Sequence, residues 1–295
     1  MIPIWLLLTL FSACCLGFYD ICRKHAVREN AVMPVLFLAT CSGSLFFLLI
    51  LCCNGSFISS AVCTPGDFFL ILIKSLVVAS SWTFVYYGVR DLPISIASPI
   101  RASSPLWTFI GSMILFHEIP TPVQALGMLC IFGGYLVFSL LGKLEGISFR
   151  KHRGIHYMLL GTWLGACSAL LDKYLLNTLA IPRSTVQFWF SVDLVILLGM
   201  ALLLRWCFLK KTVSGFQWRW TIPVTGILLI VADYLYFYAI SMPEIQISVL
   251  SLVRRSSCVI TFLCGAYLFR DKNILKKALA LSAILLGIVL LALAD

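Results

Sequence analysis

Charge is scarce in this sequence, and acidic charge most of all. The 295 residues hold 12 Asp and Glu against 22 Lys and Arg, and charged residues make up 12% where hydrophobic residues make up 61%. A water-soluble domain is about a quarter charged, so the composition excludes an ordinary soluble globule. The twelve cysteines form no C-x-x-C. There is no His-Glu-x-x-His run, no Cys/His cluster with ligand spacing and no paired Ser/His/Asp arrangement. The common zinc, redox and nucleophilic-enzyme signatures are therefore missing. The chain is expected not to be an enzyme, and neither a metal nor another cofactor is expected. The four histidines, His25, His117, His152 and His156, fall at loops or helix ends and read as solvated.

What is present is apolar sequence in runs of about twenty residues, the length that crosses a roughly 30 Å hydrocarbon core as a helix. In lipid the backbone must satisfy its own hydrogen bonds, so these runs read as helices. Ten are expected, near 3–22, 34–53, 67–89, 93–116, 122–141, 155–177, 185–206, 220–240, 244–269 and 275–293. Breakers such as Pro34, Asn54-Gly55, Pro65-Gly66, Pro93, Pro120, Pro122, Pro182 and Pro243 punctuate them. Most cysteines, among them Cys14, Cys15, Cys41, Cys130, Cys167, Cys258 and Cys264, lie inside the runs and act as small hydrophobes. Cys52, Cys53 and Cys63 flank one loop, where a bridge is the weaker alternative. The first run has no basic segment before it, so it reads as a retained span and not a cleaved leader.

The net charge of +10 would suggest nucleic acid in a soluble protein. Here the cations sit mostly in short loops, and no nucleic-acid partner is expected. Arg23, Lys24, Arg28, Arg90, Arg150, Lys151, Arg205, Lys210, Arg270 and Lys276 belong to odd-numbered loops, whereas Arg183 alone supplies an even-numbered one with a basic residue. The positive-inside rule then puts the odd loops in the cytoplasm and both termini outside. A multi-pass protein of a bacterial-type inner membrane is expected, with the lipid bilayer as its partner and a monomer or a homodimer as alternatives.

The chain also repeats itself. Shifting it so that Ile94 meets Ile247 aligns 94–141 with 247–294 without a gap. Ser95, Ser98, Arg101, Ser103, Ser104 and Thr108 then meet Ser248, Ser251, Arg254, Ser256, Ser257 and Thr261. Polar residues are too scarce here for such matches to arise from composition. Asp20 aligns with Asp172 after a small slip. Each repeat has five helices, an odd number, so the second must enter the membrane from the opposite side. The fold class expected is all-α integral membrane, ten transmembrane helices as two inverted five-helix repeats, 1–142 and 154–295. Inverted repeats with a site between them are a recurring transporter plan.

Several motifs resemble the drug/metabolite transporter superfamily in its EamA-like ten-helix form. Leu115-Phe116-His117-Glu118, followed by Gln124-x-x-Gly127-x-x-x-Ile131-x-x-Gly134, is similar to that family's Gly-Glu turn and the helix after it. Leu164-Gly165-Ala166-Cys167-Ser168-Ala169 leading to Lys173 resembles its sixth helix, and Pro105 stands where the family often has Ser-Pro. The departures are His117 for Gly, Cys258 for a second-half proline, and no Trp-Gly in the first helix. The resemblance implies a small-molecule transporter over essentially the whole chain.

Ionisable groups in a spanning helix cost roughly 2.5–3.5 kcal/mol each by insertion scales, so they mark function or pairing. The candidates are Asp20, Lys74, Arg101, Asp172, Lys173, Asp193, Asp233, Arg254 and Arg255. Ser98/Arg101/Pro105 and Ser251/Arg254/Cys258 each fall on one helix face by i, i+3, i+7 spacing. Guanidinium forks favour an anionic or zwitterionic organic substrate. A secondary transporter working by alternating access follows, with Arg101, Arg254, Arg255, Tyr236, Ser98, Ser251, Trp82 and Tyr86 as substrate-binding candidates. Asp20, Asp172, Lys173 and Asp233 are the gating or coupling candidates, with protons or a counter-substrate as alternatives for the coupling partner. In one alternative the arginines are locked instead in salt bridges, Asp20 with Arg101 and Asp172 with Arg254, in an amino-acid or metabolite exporter. Asp233 is expected to carry a proton or to pair with Lys74 or Lys173. A likeness to the organophosphate translocator branch also implies that Arg101, the Arg254-Arg255 pair and a tyrosine, here Tyr236, hold the substrate.

Overall fold

The computed structural model describes residues 4–104, 106–107, 110, 121–144, 150–209, 215–240, 254, 256–269 and 274–293. Helix is the only regular structure among them. The helices are α1 (Ile4–Val27), α2 (Val32–Cys53), the short α3 (Phe57–Ala61), α4 (Pro65–Asp91), α5 (Ile94–Ala102), α6 (Pro122–Leu144), α7 (Arg153–Lys173), α8 (Arg183–Leu209), α9 (Thr221–Ile240), α10 (Ser257–Phe269) and α11 (Ile274–Leu293). A π-turn, Tyr174–Thr178, continues α7. Six helices are long and apolar enough to cross a bilayer, at Ile4–Val27, Val32–Cys53, Pro65–Asp91, Arg153–Leu176, Arg183–Cys207 and Thr221–Ala239.

The pattern of burial is that of a protein in lipid. On α1 the large apolar side chains Ile4, Leu7, Phe11 and Phe18 point outward, while Thr9, Ser12 and Asp20 are buried. Polar groups thus turn toward the bundle, where partners exist, and apolar ones toward the hydrocarbon. Ser12 Oγ donates to the Ala232 carbonyl on α9 at 2.7 Å, and Ser81 Oγ donates to the Gly161 carbonyl on α7 at 2.7 Å.

Local chemistry sets the helix ends. Thr64 caps α4: its Oγ1 accepts from the Asp67 backbone N–H at 3.2 Å and donates to the Asp67 carboxylate at 2.7 Å. Pro65 occupies the first helical position, where a missing N–H costs nothing. The helix expected over 93–116 is described as a continuous helix only to Ala102. Pro99 lies inside it, and the Ser103 N–H turns back to the Ile100 carbonyl at 3.3 Å. The first helix outlasts its expected end at 22 because Lys24 is buried there. Its Nζ donates to the carbonyls of Val89 and Leu92, each at 2.6 Å, and of Arg90 at 3.2 Å, closing the end of α4. Arg23 and Lys24, read from the sequence as loop cations, are therefore interior groups. Cys52, Cys53 and Cys63 are free thiols. The motif at 115–118, Pro105 and the ninth expected span from 244 to 253 lie outside the described residues.

Packing runs mostly between the two halves. The α6–α11, α4–α7 and α1–α9 contacts are the most extensive, followed by α2–α9, α4–α8, α1–α10, α2–α8 and α5–α10, with α5–α7 smaller. Glycine permits the closest approaches. A Cβ at Gly226 on α9 would lie 1.9 Å from the Ala39 carbonyl oxygen of α2, and one at Gly134 on α6 would lie 2.5 Å from Ile284 of α11. Gly226→Ala must therefore push α2 and α9 apart.

Candidate functional site

A cavity of about 150 Å³ lies between helices of both halves. Charged side chains from five helices converge on it: Lys74 (α4), Arg101 (α5), Asp172 (α7), Asp233 (α9), and Arg254, just before α10. Trp82, Phe190, Tyr236 and Phe237 supply aromatic wall. A second cavity of about 20 Å³, lined by Tyr86, Trp82, Ser191, Leu194 and Asp233 among others, lies beside it.

Each charge in the main cavity has a definite partner. Arg101 Nη1 donates to Asp20 Oδ1 at 2.8 Å. The same oxygen accepts from Arg23 Nη2, also at 2.8 Å. Arg23 is the deeper of the two arginines, its side chain 3% exposed against 25% for Arg101. The guanidinium of Arg23 also donates to Tyr19 Oη at 3.3 Å and lies over the rings of Tyr19 (4.9 Å) and Tyr86 (5.5 Å). Lys74 Nζ stands 2.5 Å from Asp172 Oδ1 and 4.1 Å from the centroid of Phe190. Arg254 pairs with Asp233 and lies 4.1 Å over the Tyr236 ring. Arg254 Nε is buried without a hydrogen-bond acceptor among the described residues.

The sequence-derived residues fall into three groups. Arg101, Arg254, Tyr236, Trp82, Asp172 and Asp233 meet at the main cavity, with Asp20 behind Arg101. Tyr86 belongs to the smaller cavity. Ser98 is buried beside neither cavity, its Oγ without a partner among the described residues. Arg255 and Ser251 lie outside the described residues, as does the Lys173 side chain.

Two pairings differ from the sequence expectation. Asp172 meets Lys74 and not Arg254. Asp233 meets Arg254 and not a lysine. Opposing helix faces decide such contacts: α4 packs on α7 and so brings Lys74 to Asp172. The sequence places Arg23 in a loop and offers Lys74 only as a possible partner of Asp233, whereas the fold brings Arg23 to Asp20 and Lys74 to Asp172. The Tyr19-Asp20-Arg23 spacing, which stacks three side chains on one helix face, was the signal for the first.

The side chains lining the main cavity include three basic, two acidic and four aromatic residues, with no nucleophile–base pair among them. The cavity lies inside a multi-pass membrane protein whose described residues form only helices as regular structure. Residues 3–140 match the model of the EamA-like transporter family. A solved crystal structure matches 98% of this chain and 98% of its own, with a TM-score of 0.68 and 17% identity, which places the fold. These two findings are consistent with a member of the drug/metabolite transporter superfamily. No curated protein matches the chain.

Proposed function

We propose that this protein is a secondary transporter that moves a small anionic or zwitterionic metabolite across the membrane by alternating access. In this reading ten helices form two inverted repeats, 1–142 and 154–295, with both termini outside. The packing pattern supports the repeats. Exchanging the halves turns α4–α7 into α9–α1, α4–α8 into α9–α2, and α1–α10 into α7–α5. It leaves α6–α11, α2–α8 and α5–α10 as they are. Every one of these pairs is a contact in the fold.

One observation carries the substrate reading: the charges gathered at the cavity do not cancel. Lys74, Arg101 and Arg254 face Asp172 and Asp233 there. Including the residues behind, four cations (Arg23, Lys74, Arg101, Arg254) share three carboxylates (Asp20, Asp172, Asp233). Four minus three leaves one positive charge among these described groups. Asp20 keeps Arg23 when Arg101 leaves, so an entering anion can take Arg101 without stranding a buried carboxylate. The unpaired Nε of Arg254 offers a second donor across the chamber. Tyr236 and Trp82 shape the apolar part of the site, and Arg255 would add to its positive potential.

Transport in proteoliposomes tests this reading. Arg101→Ala and Arg254→Ala should abolish uptake of a metabolite that stabilises the purified wild-type protein, while both variants remain folded in the membrane. Wild-type rates in either would sink the anion site. The alternative, a gate in which Arg101 never leaves Asp20, is favoured by the 2.8 Å contact itself. It requires that Asp20→Arg combined with Arg101→Asp restore transport lost in each single variant.

A further inference from the structure

Asp193 is a buried carboxylate with no cation beside it among the described residues. It lies in the apolar α8, its residue 3% exposed, and it makes no ion pair among the described residues. Its contact is Ser75 Oγ on α4, 3.1 Å from Oδ2. That hydroxyl is also 2.8 Å from the Ile71 carbonyl oxygen, one turn back on its own helix.

A serine hydroxyl has a single proton. The carbonyl of Ile71 can only accept, and it is the nearer of the two acceptors, in the back-bonded geometry usual for serine inside a helix. With that proton committed, the contact between Ser75 Oγ and Asp193 needs a proton from Asp193. The neutral acid supplies it. Burial argues the same way, since an ionised carboxylate without a counter-charge costs several kcal/mol away from water.

Among the described residues the groups around it offer no replacement cation. On α4, Lys74 is held by Asp172 at 2.5 Å, and Asp67 is acidic and exposed at the helix start. Between α3 and α4 stands Cys63, whose thiol is pushed up chiefly by burial and which brings no positive charge. No charged residue occurs in α2 or α3, and the π-turn brings only the exposed Tyr174. Ser191 and Leu194, on either side of Asp193, line the smaller cavity, whose 20 Å³ is about the space of one water.

We propose that Asp193 is a proton-binding site, occupied by its proton in this conformation. On release, the proton passes from the carboxylic acid to water, and the Ser75 hydroxyl turns from Ile71 to donate to the carboxylate. The Ile71 carbonyl keeps its helical N–H bond. Asp233, the sequence candidate for this role, is instead paired with Arg254. Any place for Asp193 in a transport cycle rests on the transporter reading; its protonation does not.

Infrared difference spectra of the protein reconstituted in lipid, recorded between acidic and alkaline buffer in H2O and in D2O, decide the matter without a substrate. The expected result is a carbonyl-stretch band of a protonated carboxylic acid that shifts in D2O, vanishes on alkalinisation, and is missing from Asp193→Asn but kept in Asp233→Asn. Ser75→Ala, which removes the acceptor, should move the band to higher frequency, and serves if Asp193→Asn does not fold. Absence of the band from the wild type, its survival in Asp193→Asn, or an unmoved band in Ser75→Ala would overturn the proposal.

Discussion

Asp20 and Asp172, which the proposed repeat aligns with each other, are used differently. Asp20 holds two arginines on one oxygen, Arg23 from its own helix and Arg101 from α5 of the same half. Asp172 holds one lysine, Lys74, from the other half, and the arginine that mirrors Arg101 goes to Asp233. One cluster is thus a shared carboxylate with a deep and a shallow arginine. The other is two separate pairs facing one cavity. A repeat can conserve the charged positions and still change their partners, because partners are chosen by the helix lying opposite. In the proposed transporter this difference would give the cavity one side with an exchangeable arginine and one side with fixed pairs.

The largest way to break this comparison is Asp20→Ala. It strands Arg23 in the interior and frees Arg101 at once. Removing one partner of a buried pair costs about 3–5 kcal/mol, so detergent-solubilised protein should unfold at a markedly lower temperature. Next comes Lys74→Met, which leaves Asp172 unpaired at a partly open wall. A smaller loss, about 2–3 kcal/mol, is expected because the Asp172 side chain is 16% exposed and reaches the cavity. Asp233→Ala should cost less still in unfolding temperature, since Arg254 keeps Tyr236 beneath it at 4.1 Å. Its effect should fall on ligand binding. Thr261→Val sharpens the comparison from the other end. Thr261 Oγ1 approaches Asp20 Oδ2 at 3.4 Å, a long contact, and its loss should move stability by no more than about 0.5 kcal/mol. A large effect there would mean that Asp20 depends on more than its arginines.

Much of this architecture was legible in the sequence because lipid leaves few options. Apolar runs gave the six long membrane-crossing helices to within about five residues at their ends, and scarcity made the charged positions conspicuous. Arg101, Arg254, Asp172, Asp233, Tyr236 and Trp82, all conspicuous in the sequence, meet at one cavity. Helix ends were less legible. Lys24 prolongs α1 by capping a helix far along the chain, and Pro99 with the turn at Ser103 ends the regular part of α5. Pairing was least legible. The repeat suggested Asp172 with Arg254, but contact across α4 and α7 decided for Lys74. Arg23 was hidden by its neighbours, since a cation beside Lys24 and His25 resembles a loop until Tyr19 and Asp20 are seen on its face.

The most direct measurement for the anion chamber is a thermal-unfolding screen of the purified protein against phosphorylated metabolites, carboxylates, amino acids and organic cations. A ligand at one hundred times its dissociation constant stabilises by about 2.7 kcal/mol, a readily measured shift. The expected result is stabilisation by an organic anion or zwitterion that disappears in both Arg101→Ala and Arg254→Ala. Stabilisation by cations alone, or by an anion that still protects both variants, would contradict it.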